Sequence, residues 1–210
     1  MPTTSDPSNT RRLVAWIGGA VACLVLVVGG IAYMVIGVEG RSEVRDTLAR
    51  EQIVGTPDMK PGGISAEVGE PLPSCAVAGV PIDTGDRAKC FADYMRVHAL
   101  EATGGQTYAQ MGRYLDANGD ATNDEAAAAK DAKGRPVDNP LRQLWVTETA
   151  LATGLSMSFF AEQVSLFAIA MGACLLVIGI GLGVLTVFTL GAAPWRDGRA
   201  PAPPPSPEAP

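Results

Sequence analysis

Residues Thr147–Phe167 read TETALATGLSMSFFAEQVSLF and run directly into an uncharged apolar segment, with Glu162 the last carboxylate before it. Whether Glu162 works inside a membrane or marks where the membrane stops decides how the chain is read. Val164–Leu190 is 27 residues without a charge, and Leu13–Val38 is 26. A spanning helix needs about 20 apolar residues, so each run is long enough to cross with some tilt. Neither shows the polar face that a long helix on a water-soluble core would carry. Both are expected to be transmembrane helices. Glu162 then falls just outside the second span, where a charge costs far less than the ~2.5–3.5 kcal/mol of the bilayer centre. It is expected to mark the boundary. The alternative is an ion- or ligand-handling polar site shared with Glu148, fourteen residues earlier on nearly the same helical face.

The first run could also be a cleavable leader, since Arg11 and Arg12 precede it. Its apolar core is about twice the usual leader length, and no small-x-small cleavage site follows. An uncleaved anchor is the expectation. The chain then divides into a cytoplasmic tail over 1–12, a first transmembrane helix over 13–38 and an extracytoplasmic, mostly helical module over 39–163. A second transmembrane helix follows over 164–190, then a disordered Pro-rich cytoplasmic tail over 191–210. Arg11, Arg12, Arg196 and Arg199 flank the spans on the tail side, whereas 39–163 holds 12 Lys/Arg against 19 Asp/Glu. Arg41, Arg45 and Arg50 argue the other way, but long loops translocate largely regardless of charge. Both termini are therefore expected in the cytoplasm, with Trp16 and Trp195 at the inner interface.

An oxidising compartment makes Cys75 and Cys90 a candidate disulfide. Cys23 and Cys174, inside the spans, read as small apolar fillers. The first span is expected to continue as a helix through GRSEVRDTLAREQI until Gly55 and Pro57 stop it. Residues 55–82 read as an irregular linker with short extended pieces at 76–80. A helix capped by Asp83 or Thr84 runs to Gly104 and Gly105, and its face from Phe91 to Ala102 can act as a lid. Thr107–Leu115 reads as one more short helix, and the alanine run after it as a short helix or a mobile loop. Asn139-Pro140 starts a long helix that continues into the second span. Leu141, Leu144, Trp145, Leu151, Leu155 and Phe159 form its apolar stripe. The fold class expected is mainly α: two transmembrane helices extended into a helical hairpin or stalk, with a small helical insert and irregular loops.

Chemistry is sparse. Asp116, Asn118, Asp120 and Asp124 resemble the start of a calcium loop, but its sixth and twelfth positions are Ala121 and Ala127 instead of Gly and Glu. His98 is the single histidine, which leaves a metal or catalytic site short of partners. Neither a nucleophile elbow nor a phosphate-binding Gly-rich loop is present. No catalytic, cofactor or metal site is expected. Gly179-x-x-x-Gly183 and Gly18-x-x-x-Ala22 offer small-residue faces for helix packing. The expected partners are the lipid bilayer and a second copy or another membrane protein, with no nucleic acid.

Three blocks carry a resemblance over about 44–190: VRDTLAREQI, PIDTGDRAKCFADYMRVHALEATGGQTYAQM and LWVTETALATGLSMSFFAEQVSLF. In kind and order they resemble uncharacterised two-span membrane proteins of high-GC Gram-positive bacteria, some of which are labelled ring-opening dioxygenases. The resemblance implies the two-span architecture. Non-haem iron of the kind that label implies takes two histidines and a carboxylate, and one histidine cannot supply that set. The resemblance implies nothing about a Cys75–Cys90 disulfide. The reading that follows is a non-enzymatic, structural or accessory membrane protein of the cell envelope. A small-ligand or ion sensor, or a transport accessory subunit, using Glu148 and Glu162 is the alternative.

Overall fold

The computed structural model of the chain describes residues 7–64 and 70–188. The elements are α1 (Pro7–Arg50), α2 (Gly85–Ala102), β1 (Tyr114–Leu115), β2 (Ala121–Thr122) and α3 (Pro140–Thr186). The architecture is mainly helical, as expected, and α1 and α3 are each long and apolar enough to cross a membrane. Trp195, Arg196, Arg199 and the Pro-rich tail lie outside the described residues. Two units divide the chain: an apolar one from Met1–Gly37 with Phe167–Pro210, and a module from Val38–Leu166.

In the apolar unit the helices meet through small residues in antiparallel order. Added Cβ atoms define the seam. On Gly19 it would lie 2.8 Å from Thr186 Oγ1, and on Gly183 it would lie 2.9 Å from Cys23 Sγ. On Gly179 it would come within 3.0 Å of Leu26, and on Gly172 within 2.7 Å of the Gly30 carbonyl oxygen. Lipid tails are as apolar as leucine, so close backbone approach, not water exclusion, drives such pairing. Gly179 and Gly183 thus face α1, but Gly18 and Ala22 do not face α3. A Cβ on Gly18 would meet nothing within 4 Å, and Ala22 is exposed. The α1 seam is Gly19, Cys23, Gly30 and Met34, shifted by one residue, or about 100° of helix rotation, from the pattern read in the sequence.

The module is built on α2. Thr84 caps it, its hydroxyl oxygen accepting from Arg87 N, with Asp86 in the first turn. It ends in left-handed glycines, Gly104 at φ 62° and Gly105 at φ 80°, and Gly105 N donates to Leu100 O. Leu48 of α1 and Leu155 of α3 pack on α2 residues Ala88, Cys90, Tyr94 and Val97. A second cluster joins Ala99, Leu100, Met111 and Trp145. Asn139 caps α3 by accepting from Leu141 N at 3.0 Å.

Three local expectations fail here. Residues 55–64 and 70–82 are more than an irregular linker, and only the extended piece expected at 76–80 is found, where Ala78 bridges Gly55. Met59 O accepts from Val77 N and Ala78 N, Ile82 N donates to Ile53 O, and Met59, Val77 and Ile82 enter the core. Gly55 is required there because a Cβ would collide with the Val77 carbonyl. Thr107–Leu115 makes only one turn before Tyr114 and Leu115 enter a hairpin, pairing with Thr122 and Ala121. The alanine run forms no helix: Asp116 bridges Ala128, and Ala129 exchanges hydrogen bonds with Leu115 and Val137. Pairing partners distant in sequence outweigh helix propensity in both places. The apolar stripe of α3 is divided as well. Trp145 and Leu155 are buried, whereas Leu141, Leu144 and Leu151 stay exposed.

Candidate functional site

Glu162 and Glu148 are both buried, at 5% and 6% exposure, and lie two heptads apart on α3, with Leu155 midway. Their surroundings differ. Glu162 Oε1 accepts from Arg41 Nε and from Arg45 Nε, each at 2.9 Å. Its Oε2 accepts from Gly85 N at 2.6 Å, at the N-terminus of α2, where a carboxylate also meets the positive end of the helix. Gly85 has no room for a side chain: a Cβ would lie 2.8 Å from Phe159 Cα and 3.0 Å from Glu162 Oε2. Burial pushes the Glu162 carboxyl up, but the Gly85 N–H and the two guanidinium groups outweigh it and hold it below its ordinary value. Glu162 therefore ties α1, α2 and α3 together within the module, and both of its oxygens are engaged.

Glu148 is less well provided for. Its Oε2 accepts one long hydrogen bond, 3.3 Å, from the neighbouring Thr149 hydroxyl. Arg96 lies near enough for its charge to act on Glu148, but it is committed elsewhere. Its guanidinium binds Glu70 through two hydrogen bonds of 3.0 and 3.1 Å and lies over the Trp145 ring at 5.3 Å. Burial consequently raises the Glu148 carboxyl above its ordinary value, with Thr149 and Arg96 opposing weakly. The side chain forms part of the wall between two open grooves that flank the α2–α3 contact. One, of about 740 Å³, is lined by Met95, His98, Ala99, Leu144, Leu151 and Glu148. The other, of about 320 Å³, has Arg96, Ala152, Ser156 and Met157 on its walls. Met95 and Leu151 extend the larger groove into a third, of about 300 Å³, reaching Leu48 and Phe91. Such a surface suits an apolar occupant, with one carboxyl group to fix its orientation.

The remaining sequence candidates are accounted for by structure. Cys75 and Cys90 form a disulfide, and Tyr94 Oη donates to Cys75 O at 2.9 Å beside it. His98 Nε2 lies 2.8 Å from Asp58 Oδ2. A hydrogen bond from Thr56, aided by His98, holds the Asp58 carboxyl below its ordinary value against the opposing effect of burial. In the DANGD loop, Asp116 Oδ1 accepts from Asn118 N and Asp120 N, both at 2.8 Å. DAKGR repeats this geometry: Asp131 Oδ1 accepts from Lys133 N at 2.8 Å and Arg135 N at 2.9 Å. In each loop the glycine before the last residue has positive φ, 87° at Gly119 and 77° at Gly134. Asp116 and Asp120 of the calcium-like run thus belong to a turn used twice, and Asp124 Oδ1 accepts from Ala126 N at 2.9 Å. Among the described residues no group of three His, Cys, Asp or Glu side chains is placed to hold a metal ion.

Sequence reasoning missed the partners more than the carboxylates. Arg41 and Arg45 entered it as topology signals, and Gly85 did not enter it. They lie 117 to 121 residues from Glu162 in the case of the arginines and 77 in the case of Gly85. No local pattern encodes contacts at such separations. No family model, curated protein or solved structure matches this chain.

Proposed function

We propose that the chain is a non-enzymatic two-span membrane protein whose extracytoplasmic module captures an apolar partner segment in the groove between α2 and α3. Both termini would lie in the cytoplasm. Membership among the two-span proteins that its block order resembles is part of the same proposal. The observation that carries the reading is the groove itself. Leu144 and Leu151 remain 40% and 53% exposed although they adjoin a packed core that leaves about 740 Å³ open beside them. An exposed apolar surface of this kind is a common mark of an interaction site. The disulfide supports an oxidising location for the module. Two candidate acid–base groups are already engaged, which favours a binding role over catalysis: Glu162 is held by two arginines, and His98 Nε2 lies 2.8 Å from Asp58 Oδ2.

Site-specific photocrosslinking in native membranes tests the proposal. A crosslinker at Leu144 or Leu151 should give discrete adducts, and a tryptophan in place of Ala102, an exposed residue of the groove wall, should remove them. Equal crosslinking from the exposed Arg50 position, or adducts indifferent to Ala102→Trp, would refute groove capture. Topology is tested separately by cysteine accessibility: Cys75 labelled from the cytoplasm after reduction would reverse the orientation.

The burial of Glu148 favours a second reading, a small-ligand or ion sensor. Here a cationic group entering either groove would pair with the Glu148 carboxylate. Glu148→Gln should then abolish binding of the cation while leaving groove crosslinks intact. If crosslinks and cation binding both survive the substitution, Glu148 is not a sensing group.

A further inference from the structure

The module has eight arginines within Val38–Leu166. Six of them, Arg41, Arg45, Arg50, Arg87, Arg96 and Arg135, form ion pairs with carboxylates. The other two, Arg113 and Arg142, have no carboxylate partner among the described residues, although acids outnumber bases in this segment. Both line one cleft of about 450 Å³ at the N-terminal end of α3. We propose that this cleft binds a small oxyanion, a phosphate or carboxylate group, on a molecule that also carries a hydroxyl or ammonium donor.

The geometry supports that ligand class. Arg142 is positioned from two sides: Nη1 donates to Met111 O at 3.0 Å, and the guanidinium stacks 3.9 Å from the Tyr108 ring centre. Arg113 lies 5.6 Å from the Tyr114 ring centre. Stacked guanidinium groups keep their in-plane N–H donors free, and those donors match the planar or tetrahedral oxygens of an oxyanion. Asn123 Oδ1 is occupied by Arg113 N, which leaves the amide nitrogen to donate. The first turn of α3 adds the positive end of a helix. Asp138 also lines the cleft and opposes a bare anion. It is an acceptor, however, and would take a donor group beside the oxyanion. A soluble polyol phosphate meets both requirements.

Equilibrium dialysis of the full chain in neutral-lipid nanodiscs, at constant ionic strength, tests the site with sn-glycerol 3-phosphate. Saturable binding is expected, with none for glycerol. Arg113→Gln and Arg142→Gln should each weaken binding about tenfold or more, since each removes a charge-assisted pair of donors. Arg135→Gln, which removes a paired surface arginine, should leave it unchanged. Arg142 also supports Met111 and Tyr108, so Arg113→Gln is the decisive variant if Arg142→Gln misfolds. Absence of saturable binding, or binding equal in wild type and Arg113→Gln, would overturn the proposal.

Discussion

Two stretches of α3 make their contacts by different means. In the apolar unit, Gly172, Gly179 and Thr186 recur on α3 every seven residues, and all three are buried. In the module the same spacing is filled by Glu148, Leu155 and Glu162, also buried. A seven-residue repeat keeps one side of a helix turned toward its neighbour. What fills that side depends on the solvent. In the lipid that we propose surrounds the apolar unit, removing a leucine from solvent gains little, so contact comes from small residues and close backbones. Against water, burial of Leu48 and Leu155 is itself favourable. A carboxylate is tolerated in the same row when two guanidinium groups and a backbone N–H meet it.

The largest expected effect breaks the apolar seam. Gly172→Val would push a side chain into the Gly30 carbonyl and the Met34 backbone, neither of which can move aside cheaply. Cys23 supplies the readout. A Cβ at position 183 lies 4.0 Å from Cys23 Cβ, within the span of a disulfide. Gly183→Cys should therefore crosslink to Cys23 on mild oxidation, and adding Gly172→Val should prevent it. Gly18→Val should leave the crosslink intact, because that residue faces away. A crosslink that survives Gly172→Val would mean that the seam does not depend on close approach.

Next in size is the disulfide. Cys75 and Cys90 are 15 residues apart, so replacing both by serine should lower module stability by about 3 kcal/mol. Thermal melts of the detergent-solubilised chain measure this, and an unchanged melting temperature would show that the core holds residues 70–82 without the bond.

Glu162→Gln follows, at about 1–2 kcal/mol destabilising, since glutamine can still accept from Gly85 N but loses the charge that the half-exposed Arg41 and Arg45 complete. Because the folded-state value of Glu162 is depressed, its contribution is present above the ordinary carboxylate value of 4.5 and is lost as pH falls through the folded value. The melting temperatures of wild type and variant should converge in acid. A gap independent of pH would assign the effect to packing.

Glu148→Gln is the smallest and has the opposite sign. The folded carboxyl is raised above its ordinary value of 4.5, so its stability is complete below 4.5 and declines as pH rises through the folded value. The variant should be about 1 kcal/mol more stable at neutral pH, from relief of a poorly compensated buried charge, and equal to wild type in acid. Destabilisation at neutral pH would mean that Glu148 has a stronger partner than Thr149.

Much of this could be read in the chain beforehand. The two uncharged runs, the Thr84 and Asn139 caps and the cysteine pair are local or compartment-level signals, and their physical causes act within a few residues. The errors share a different origin. Gly18-x-x-x-Ala22 and Gly19-x-x-x-Cys23 are equally acceptable as patterns of small residues, and the facing backbone of α3 selects the second. Residues 55–82 and the alanine run looked weakly structured because their hydrogen bonds run to Ile53, Leu115 and Val137, outside any local window.

Composition and spacing alone determined that this protein is mainly helical, with two long apolar helices and an acidic segment between them, because hydrophobic length and helix capping are properties of contiguous residues. The tertiary structure alone decided which carboxylate is satisfied. Glu148 and Glu162 are equivalent along the helix, but Arg41, Arg45 and Gly85 converge on only one of them. The cost of a buried charge depends on what lies within about 3 Å of it in space, and distance in space is what a linear sequence does not carry.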